Sequence, residues 1–274
     1  MHVQSVSLQG LRESNEDEHD IVLNMDTENK DNNKINIYGV FDGHGGSHVS
    51  TFLKSNLTKY FVKKNKHDLF NNNKITIKYI RKVFDHVQNK LKKEKFAEHE
   101  GSTALLAIHN MELKKNNLWV ANTGDSRCVI CNKYNIAVQL SKDHKPNNFE
   151  ERSRIHGLNG KISFDGSDWR IKDLSLSRAF GDLDATPFVT HKPQIFKYKI
   201  SSRDKFLILA CDGLWDVLSN QEAVNFVLEC CNFGKQNNTK ISDINIADKL
   251  ANFALKSGST DNITVVIQFF ENLN

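Results

Sequence analysis

One stretch limits the possible folds of this chain more than any other: Ile35–Gly46, reading Ile-Asn-Ile-Tyr-Gly-Val-Phe-Asp-Gly-His-Gly-Gly. Its β-branched and aromatic run is that of a buried strand. The run stops abruptly at an acid, a glycine and a histidine, so the strand delivers Asp42 and His44 to a sheet edge. Gly43, Gly45 and Gly46 lack Cβ, which lets the backbone turn sharply and lets an ion approach a carbonyl oxygen. Taken alone, the segment fits a tight turn with a solvated Asp and His equally well.

Two further core strands carry an acid in the same place. Asp212 follows Phe206–Cys211, and Asp261 precedes Ile263–Phe270. Acids at the tips of core strands converge at one sheet edge, and converging carboxylates repel unless cations lie between them. Oxygen donors without a Cys or His set favour Mg²⁺ or Mn²⁺ over zinc. Gly43 and Gly213 each follow the acid, which would admit a main-chain oxygen to the ligand set. A metal centre with an arginine and a histidine nearby points to phosphoryl chemistry. Arginine offers a planar fork for phosphate oxygens, paired ions can activate a bridging water, and histidine can protonate a departing alkoxide. Arg12 and His44 are the candidates. Arg12 shares the loop Gly10–Asp17 with Glu16 and Asp17, and charges so close are also explained by mutual neutralisation in water.

The rest of the chain supplies a scaffold for such an edge. Val3–Leu8 and Ile21–Met25 read as short strands. Val49, Phe52, Leu53, Leu57, Tyr60 and Phe61 recur at helical spacing from an N-cap at Ser47 to about Lys63. Ile77, Ile80, Val83, Phe84, Val87, Leu91 and Phe96 mark a second amphipathic helix, with Lys90–Lys95 as its wet face. From Gly101 the period changes to strands, Ser102–His109, Leu118–Asn122, Arg127–Ile130 and Ile136–Leu140, with the turn Thr123-Gly-Asp-Ser126 between the second and third. Strands joined by short turns indicate antiparallel sheet. Pro146 precedes a helix over Phe149–His156, and Gly157–Asp173 reads as short strands in a flap, which we place within 147–182. Ile195–Ile200 and Lys205–Ala210 are strands, the second apolar enough to be central. Ser219-Asn-Gln-Glu222 is a capping box opening a helix to about Cys231. A last helix, capped by Ser242, presents Ile246, Leu250, Phe253 and Ala254. Two sheets in a sandwich, with pairs of amphipathic helices outside, account for every element.

With no repeat, linker or composition break, one domain over residues 1–274 is expected, and a hydrophobic fraction of 39% suffices for its core. The net charge of +4, from 37 basic against 33 acidic residues, is too mild for a nucleic-acid partner. The clusters Asp31–Lys34, Lys63–Lys66 and Asn71–Lys74 read as solvated loops. Five cysteines without metal-type spacing indicate a reducing compartment, and Cys128-Val-Ile-Cys131 reads as buried strand. No signal peptide is expected, and no apolar run approaches the roughly 18 residues that span a bilayer. A soluble cytoplasmic monomer without membrane contact is the expectation.

Eight segments then acquire a common meaning: Arg12-Glu-Ser-Asn-Glu-Asp17, Val40-Phe-Asp-Gly-His-Gly-Gly46, Gly101-Ser-Thr-Ala104, Ala121-Asn-Thr-Gly-Asp-Ser-Arg127, Asp143-His-Lys-Pro146, Leu176-Ser-Arg-Ala-Phe-Gly-Asp182, Ala210-Cys-Asp-Gly-Leu-Trp-Asp216 and Ser259-Thr-Asp-Asn-Ile-Thr264. Their series resembles, in order and nearly end to end, the metal-dependent protein serine/threonine phosphatases of type 2C, the PPM family. The resemblance implies an α-β-β-α sandwich of two central antiparallel sheets flanked by helix pairs. It implies that Asp42 bridges two Mn²⁺ or Mg²⁺ ions, that the Gly43 carbonyl ligates, and that Asp212 and Asp261 hold one ion. It further implies that Glu16 binds through water, Asp17 orients metal-bound water, Arg12 holds the substrate phosphate and His44 is the general acid. Asp125 and Asp216 match positions that hold a third, weaker ion in relatives, and Thr103 matches a motif position near the centre. The implied chemistry is attack by metal-activated water on phosphoserine or phosphothreonine in proteins, without a phosphoenzyme. No cysteine here is followed six positions later by arginine, as a cysteine-nucleophile phosphatase requires. One departure is Trp169-Arg-Ile-Lys-Asp173, standing where relatives have Arg-x-x-Gly, which puts substrate preference in the flap in question.

Other features have ordinary explanations. His19, His48, His99, His109 and His144 are read as structural or surface groups, Arg178 as an ion-pair partner, and Trp119 and Trp215 as core. The alternative function is a pseudophosphatase that binds phosphoproteins or a partner without turnover, which the presence of Asp42, Asp212, Asp261, His44 and Arg12 disfavours. A metal-dependent nuclease would need a basic groove that the diffuse charge does not supply.

Overall fold

The computed structural model describes residues 2–25, 35–62, 70, 72–111 and 116–270; the clusters Asp31–Lys34 and Lys63–Lys66, and Asn71, lie outside them. In chain order the strands are β1 (His2–Leu8), β2 (Glu18–Met25), β3 (Ile35–Phe41), β4 (Gly43–His44), β5 (Gly101–Ser102), β6 (Ala104–Asn110), β7 (Asn117–Thr123), β8 (Arg127–Cys131), β9 (Ala137–Gln139), β10 (Ile162–Phe164), β11 (Trp169–Ile171), β12 (Phe180–Gly181), β13 (Gln194–Lys199), β14 (Phe206–Ala210) and β15 (Ile263–Phe269). The helices are α1 (His48–Val62), α2 (Asn73–Leu91), α3 (Phe149–Gly157), α4 (Asp212–Trp215), α5 (Asn220–Gln236) and α6 (Ile246–Lys256).

Two antiparallel sheets form the centre, one ordered β1-β15-β14-β8-β9 and the other β13-β7-β6-β3-β2. Period-two alternation divides their side chains between two layers. In β14, Leu207 and Leu209 join Tyr38, Val40, Leu105, Val120 and Val266 in a core between the sheets. Phe206, Ile208 and Ala210 face the other way, onto Val224 and Val227 of α5 and Leu250 and Ala254 of α6. Across the molecule, Ile37, Phe41, Leu106 and Ile108 meet Leu53 and Leu57 of α1 and Phe84 and Val87 of α2. Three apolar interfaces thus stack four layers, α-β-β-α. Strands β3, β6, β7, β14 and β15 are buried along their whole length because both faces are covered.

The structure corrects several local expectations. Thr123-Gly-Asp-Ser126 does not close a hairpin: β7 pairs with β6 and β13, whereas β8 pairs with β14 and β9, so this turn carries the chain from one sheet to the other. Ser47 stands at the N-cap of α1, its carbonyl accepting from the Thr51 N–H at 3.0 Å, while the first N–H of the helix donates to the distant Glu100 Oε2 at 3.0 Å. Asn245, not Ser242, caps α6, its Oδ1 accepting from the Asp248 N–H at 3.2 Å. The α2 stripe ends at Leu91, and Phe96 belongs to the separate 3₁₀ turn Lys95–Glu98. The box Ser219/Glu222 forms as read, but α5 runs past Cys231 to Gln236. The flap is a two-stranded hairpin of β10 and β11, seated with α3 on a small cluster of its own around Ile155, Ile171 and Leu176. Trp119 and Trp215 are core residues, and Cys128 and Cys131 are buried thiols. Among the described residues no helix is long and apolar enough to cross a membrane.

Candidate metal centre and catalytic cleft

The acids arrive at one end of the sandwich from both sheets. Asp42 follows β3, Asp17 precedes β2 and Asp125 lies in the crossing turn. Asp212 follows β14 after one residue, and Asp261 stands two residues before β15. The carboxylates of Asp42, Asp125 and Asp212 place ligand oxygens within 4.8 Å of one another, and Asp17 and Asp42 do the same with Cys211 Sγ. Burial alone would drive these acids toward neutrality, and their neighbours add to it. The Asp42 carboxyl is pushed well above the ordinary range, first by burial and then by the charges of Asp212, Asp17, Asp125 and Asp261. Burial followed by Asp125 takes Asp212 to about 8, against the lowering pull of Lys145. Burial takes Asp17 to about 6, against the lowering pull of the neighbouring Thr264 and Cys211 side chains.

Two buried oxygens in this cluster, Asp17 Oδ2 and Asp125 Oδ1, have no hydrogen-bond partner among the described residues. Orphaned acceptors among repelling carboxylates are what a hard divalent cation satisfies, so the residues present fit such an ion. Cys211 does not make the site soft. Its thiol is raised far above its ordinary pKa by burial and by Asp17 and Asp42, and it accepts from the Thr264 N–H at 3.1 Å.

The cleft above the acids measures ≈ 460 Å³ and is lined by Arg12, Glu16, Asp42, Gly43, His44, Asp125, Asp212 and Asp261, with Arg170 from β11 of the flap hairpin and residues 173–176 just after it. Asp216 does not line it. That residue sits one turn beyond Asp212, its N–H donating to the Asp212 carbonyl at 2.8 Å, and its carboxyl is raised by burial and by Asp125 despite Lys145. Arg12 Nη2 donates to Asp261 Oδ2 at 2.8 Å, with the two side chains 60% and 36% accessible. The guanidinium therefore hangs over the cleft mouth, tethered to one candidate ligand.

Local structure explains how these groups are held. Thr103 braces Asp42: its Oγ1 accepts from the Asp42 N–H at 3.0 Å, and its own N–H donates to the Asp42 carbonyl at 2.8 Å. Thr103 is thus a backbone support. Gly43 is obligatory, because a Cβ there would stand 2.3 Å from the Glu16 carbonyl oxygen. Asn262, which no motif role singled out, staples the 9–16 loop to the sheet. Its Nδ2 donates to the carbonyls of Gln9 (2.8 Å) and Ser14 (2.9 Å), and its Oδ1 accepts from the Glu16 N–H (2.9 Å).

Two further residues belong here and went unassigned from the sequence, although both lie in the quoted motifs. His44 Nε2 donates to Asp182, 3.0 Å from Oδ1 and 2.8 Å from Oδ2. Burial lowers the His44 pKa, but the hydrogen bond and charge of Asp182 outweigh it and leave the ring above its ordinary value. Lys145 Nζ lies 2.5 Å from Asp125 Oδ2 and 3.7 Å from Asp212 Oδ2. Their partners are far away in the chain, so no local pattern announces either contact.

The groups read as structural behave accordingly. Arg178 pairs with Glu151, Nη2 to Oε1 at 2.5 Å, and Nη1 donates to the Lys192 carbonyl at 2.9 Å. Burial favours a neutral Glu151, yet Arg178 and Arg154 hold it down at about 2. His144 is buried with Nδ1 against Gly124, and burial drops it to about 4. His109 lies in the core beside Gln268, Nδ1 2.7 Å from Nε2.

Comparison with known proteins identifies the family. The family model described as "Protein phosphatase 2C" matches residues 1–263. "Probable protein phosphatase 2C 7" of Oryza sativa subsp. japonica is 37% identical over 265 residues, 96% of this chain and 64% of that one. "Probable protein phosphatase 2C 52" of the same organism is 39% identical over 269 residues, yet this chain spans only 50% of its length. "PP2C-like domain-containing protein R307" of Acanthamoeba polyphaga mimivirus is 48% identical over 178 residues, 58% of this chain and 97% of that one. The crystal structure of serine-threonine phosphatase 2C from Toxoplasma gondii superposes with a TM-score of 0.82 at 21% identity, covering 98% of this chain and 94% of that one, a likeness of fold. With its layers and the carboxylate cluster at their common end, the chain belongs to the protein phosphatase 2C family.

Proposed function

We propose that this protein hydrolyses phosphoserine and phosphothreonine in proteins with the aid of two hard divalent cations, Mn²⁺ or Mg²⁺. The observation that carries the reading is the meeting of Asp42, Asp125 and Asp212, from three separate parts of the chain, within 4.8 Å. Asp42, the Gly43 carbonyl, Asp212 and Asp261 would hold the pair, Glu16 would bind through water, and Asp125 with Asp216 would take a weaker third ion. When bound, the ions supply Lewis-acid activation of the attacking water.

The remaining roles fall to side chains already described. Arg12, exposed at the mouth and paired with a single carboxylate oxygen, exchanges Asp261 for phosphate oxygens, to which its fork is better matched. His44 protonates the departing serine or threonine oxygen. Asp182 fixes the ring by accepting from Nε2, so the second proton of the imidazolium sits on Nδ1. Asp17, buried with its carboxylate beside that of Asp42, orients the attacking water. Phosphorylated proteins are the substrates.

The test is hydrolysis of a phosphothreonine peptide with Mn²⁺, Mg²⁺, Ca²⁺ or chelator. Turnover restricted to Mn²⁺ or Mg²⁺ and nearly abolished in a folded Asp42→Ala variant is expected. Activity that survives Asp42→Ala or chelation refutes the assignment, and a protein that binds phosphopeptide without turnover is a pseudophosphatase.

A further inference from the structure

Lys145 lies within the acid cluster and not at its rim. Its ammonium touches Asp125 Oδ2 at 2.5 Å and approaches Asp212 Oδ2 at 3.7 Å, while the Asp125 side chain is only 2% accessible. Lys145 meets two of the three carboxylates gathered there, and among the described residues Asp125 Oδ1 has no hydrogen-bond partner. An ammonium is a compact point charge with three donors on a flexible stem. A divalent ion carries twice the charge and takes six or more oxygens. Both cannot occupy the same oxygens of Asp125 and Asp212.

The backbone around Lys145 is pinned while its side chain has somewhere to go. The His144 N–H donates to the Gly124 carbonyl at 3.0 Å, the Ser177 N–H donates to the His144 carbonyl at 2.8 Å, and Asp143 is locked to Arg127 at 2.6 Å. On its other flank Lys145 borders a groove of ≈ 520 Å³ that also contains Asp143 and Glu150. A displaced ammonium would find water and carboxylates there.

We propose that Lys145 is a tethered cation that competes with a divalent ion for the oxygens of Asp125 and Asp212, and so sets how tightly the protein takes up an ion at that pair. At low ion concentration the side chain neutralises the cluster itself; at high concentration it swings into the neighbouring groove. The inference rests on the reading that the cleft holds divalent cations.

Calorimetric titration of chelator-treated wild type, Lys145→Gln and Lys145→Arg with Mn²⁺ tests it. Removing a unit charge a few ångströms from the ion should tighten the weakest Mn²⁺ site by about tenfold or more in Lys145→Gln. Lys145→Arg, which keeps the charge, should bind like wild type. In chelator Lys145→Gln should melt lower than wild type, and Mn²⁺ should raise its melting temperature by more. A purely structural role would lower the melt without tightening Mn²⁺, and that result overturns the proposal. Should Lys145→Gln not fold, the wild type still decides. Acylation of Lys145 by an amine-reactive reagent, read by mass spectrometry, should rise on Mn²⁺ addition, and unchanged or reduced labelling refutes displacement. Wild type that binds no Mn²⁺ at all refutes the metal reading itself, whereas equal affinities in wild type and Lys145→Gln remove only the role of Lys145.

Discussion

Without metal, the acid cluster should weaken the fold as pH rises, and Asp212→Asn should relieve it. Burial and its neighbours take the Asp212 carboxyl from an ordinary 3.8 to about 8. For a carboxyl raised by folding, the folded state holds a proton that the unfolded chain has released. Its contribution is therefore complete below pH 3.8 and is lost as pH climbs toward about 8. The gap between the two values caps the effect at about 6 kcal/mol. Because the Asp212 side chain is 24% accessible, water screens part of the repulsion, and we take about 2 kcal/mol as the usable figure. At roughly 2–4 °C per kcal/mol for a chain of this size, that is a gain of about 4–8 °C. In thermal melts with chelator, Asp212→Asn should melt above wild type by that amount at pH 8, with a much smaller difference at pH 5. Mn²⁺ should raise the wild-type melt and leave the variant nearly unchanged. If Asp212→Asn melts below wild type at both pH values, the electrostatic account of this cluster is wrong.

Other perturbations separate the roles in the cleft. His44→Gln should slow hydrolysis of phosphoserine peptides far more than that of an activated aryl phosphate, whose leaving group needs little protonation; equal losses in the two assays would remove His44 as the acid. Gly43→Ala forces a Cβ to within 2.3 Å of the Glu16 carbonyl and should cost about 2 kcal/mol or more, lowering the denaturant midpoint and Mn²⁺ affinity together. Asn262→Ala breaks three hydrogen bonds to the 9–16 loop. It should cost about 2–3 kcal/mol and open Arg12 to trypsin, and cleavage at the wild-type rate would count against the staple. Arg12→Ala, at an exposed pair, should change stability by less than about 1 kcal/mol while raising KM for phosphopeptide; a large stability loss would show that the Asp261 pair is structural.

Most of the layered architecture could be read in the sequence because the central strands announce themselves. Ile35–Phe41, Phe206–Ala210 and Ile263–Phe269 are rich in apolar residues and buried on both faces, and the acid near one end of each marks where the apolar run stops. Amphipathic stripes likewise placed α1, α2 and α6, and a capping box placed α5. The reading failed where a partner lies far along the chain. Thr123-Gly-Asp-Ser126 has the composition of a hairpin, and only the pairing of β8 with β14 makes it a bridge between sheets. Ser242 fits the capping pattern, but Asn245 takes that task, and the first N–H of α1 goes to Glu100, 52 residues on. Within the site, the candidate metal acids stood out because strand tips are visible in one dimension. Asp182, Lys145 and Asn262 act through contacts with His44, Asp125 and the 9–16 loop, more than 15 residues away in each case, and helical or strand periodicity carries no trace of them.

The carboxylates come from opposite halves of the sandwich, Asp42 from one sheet and Asp212 from the other, with Asp125 on the span between them. A sheet that slid by a single residue along its neighbour would move one wall of the cluster by about 3.3 Å, comparable to the whole 4.8 Å spread of its oxygens. Ion affinity is therefore a gauge of how faithfully the halves are docked. Substitutions at Leu209 or Val120, deep in the seam between the sheets, should blunt cation uptake before they unfold the chain.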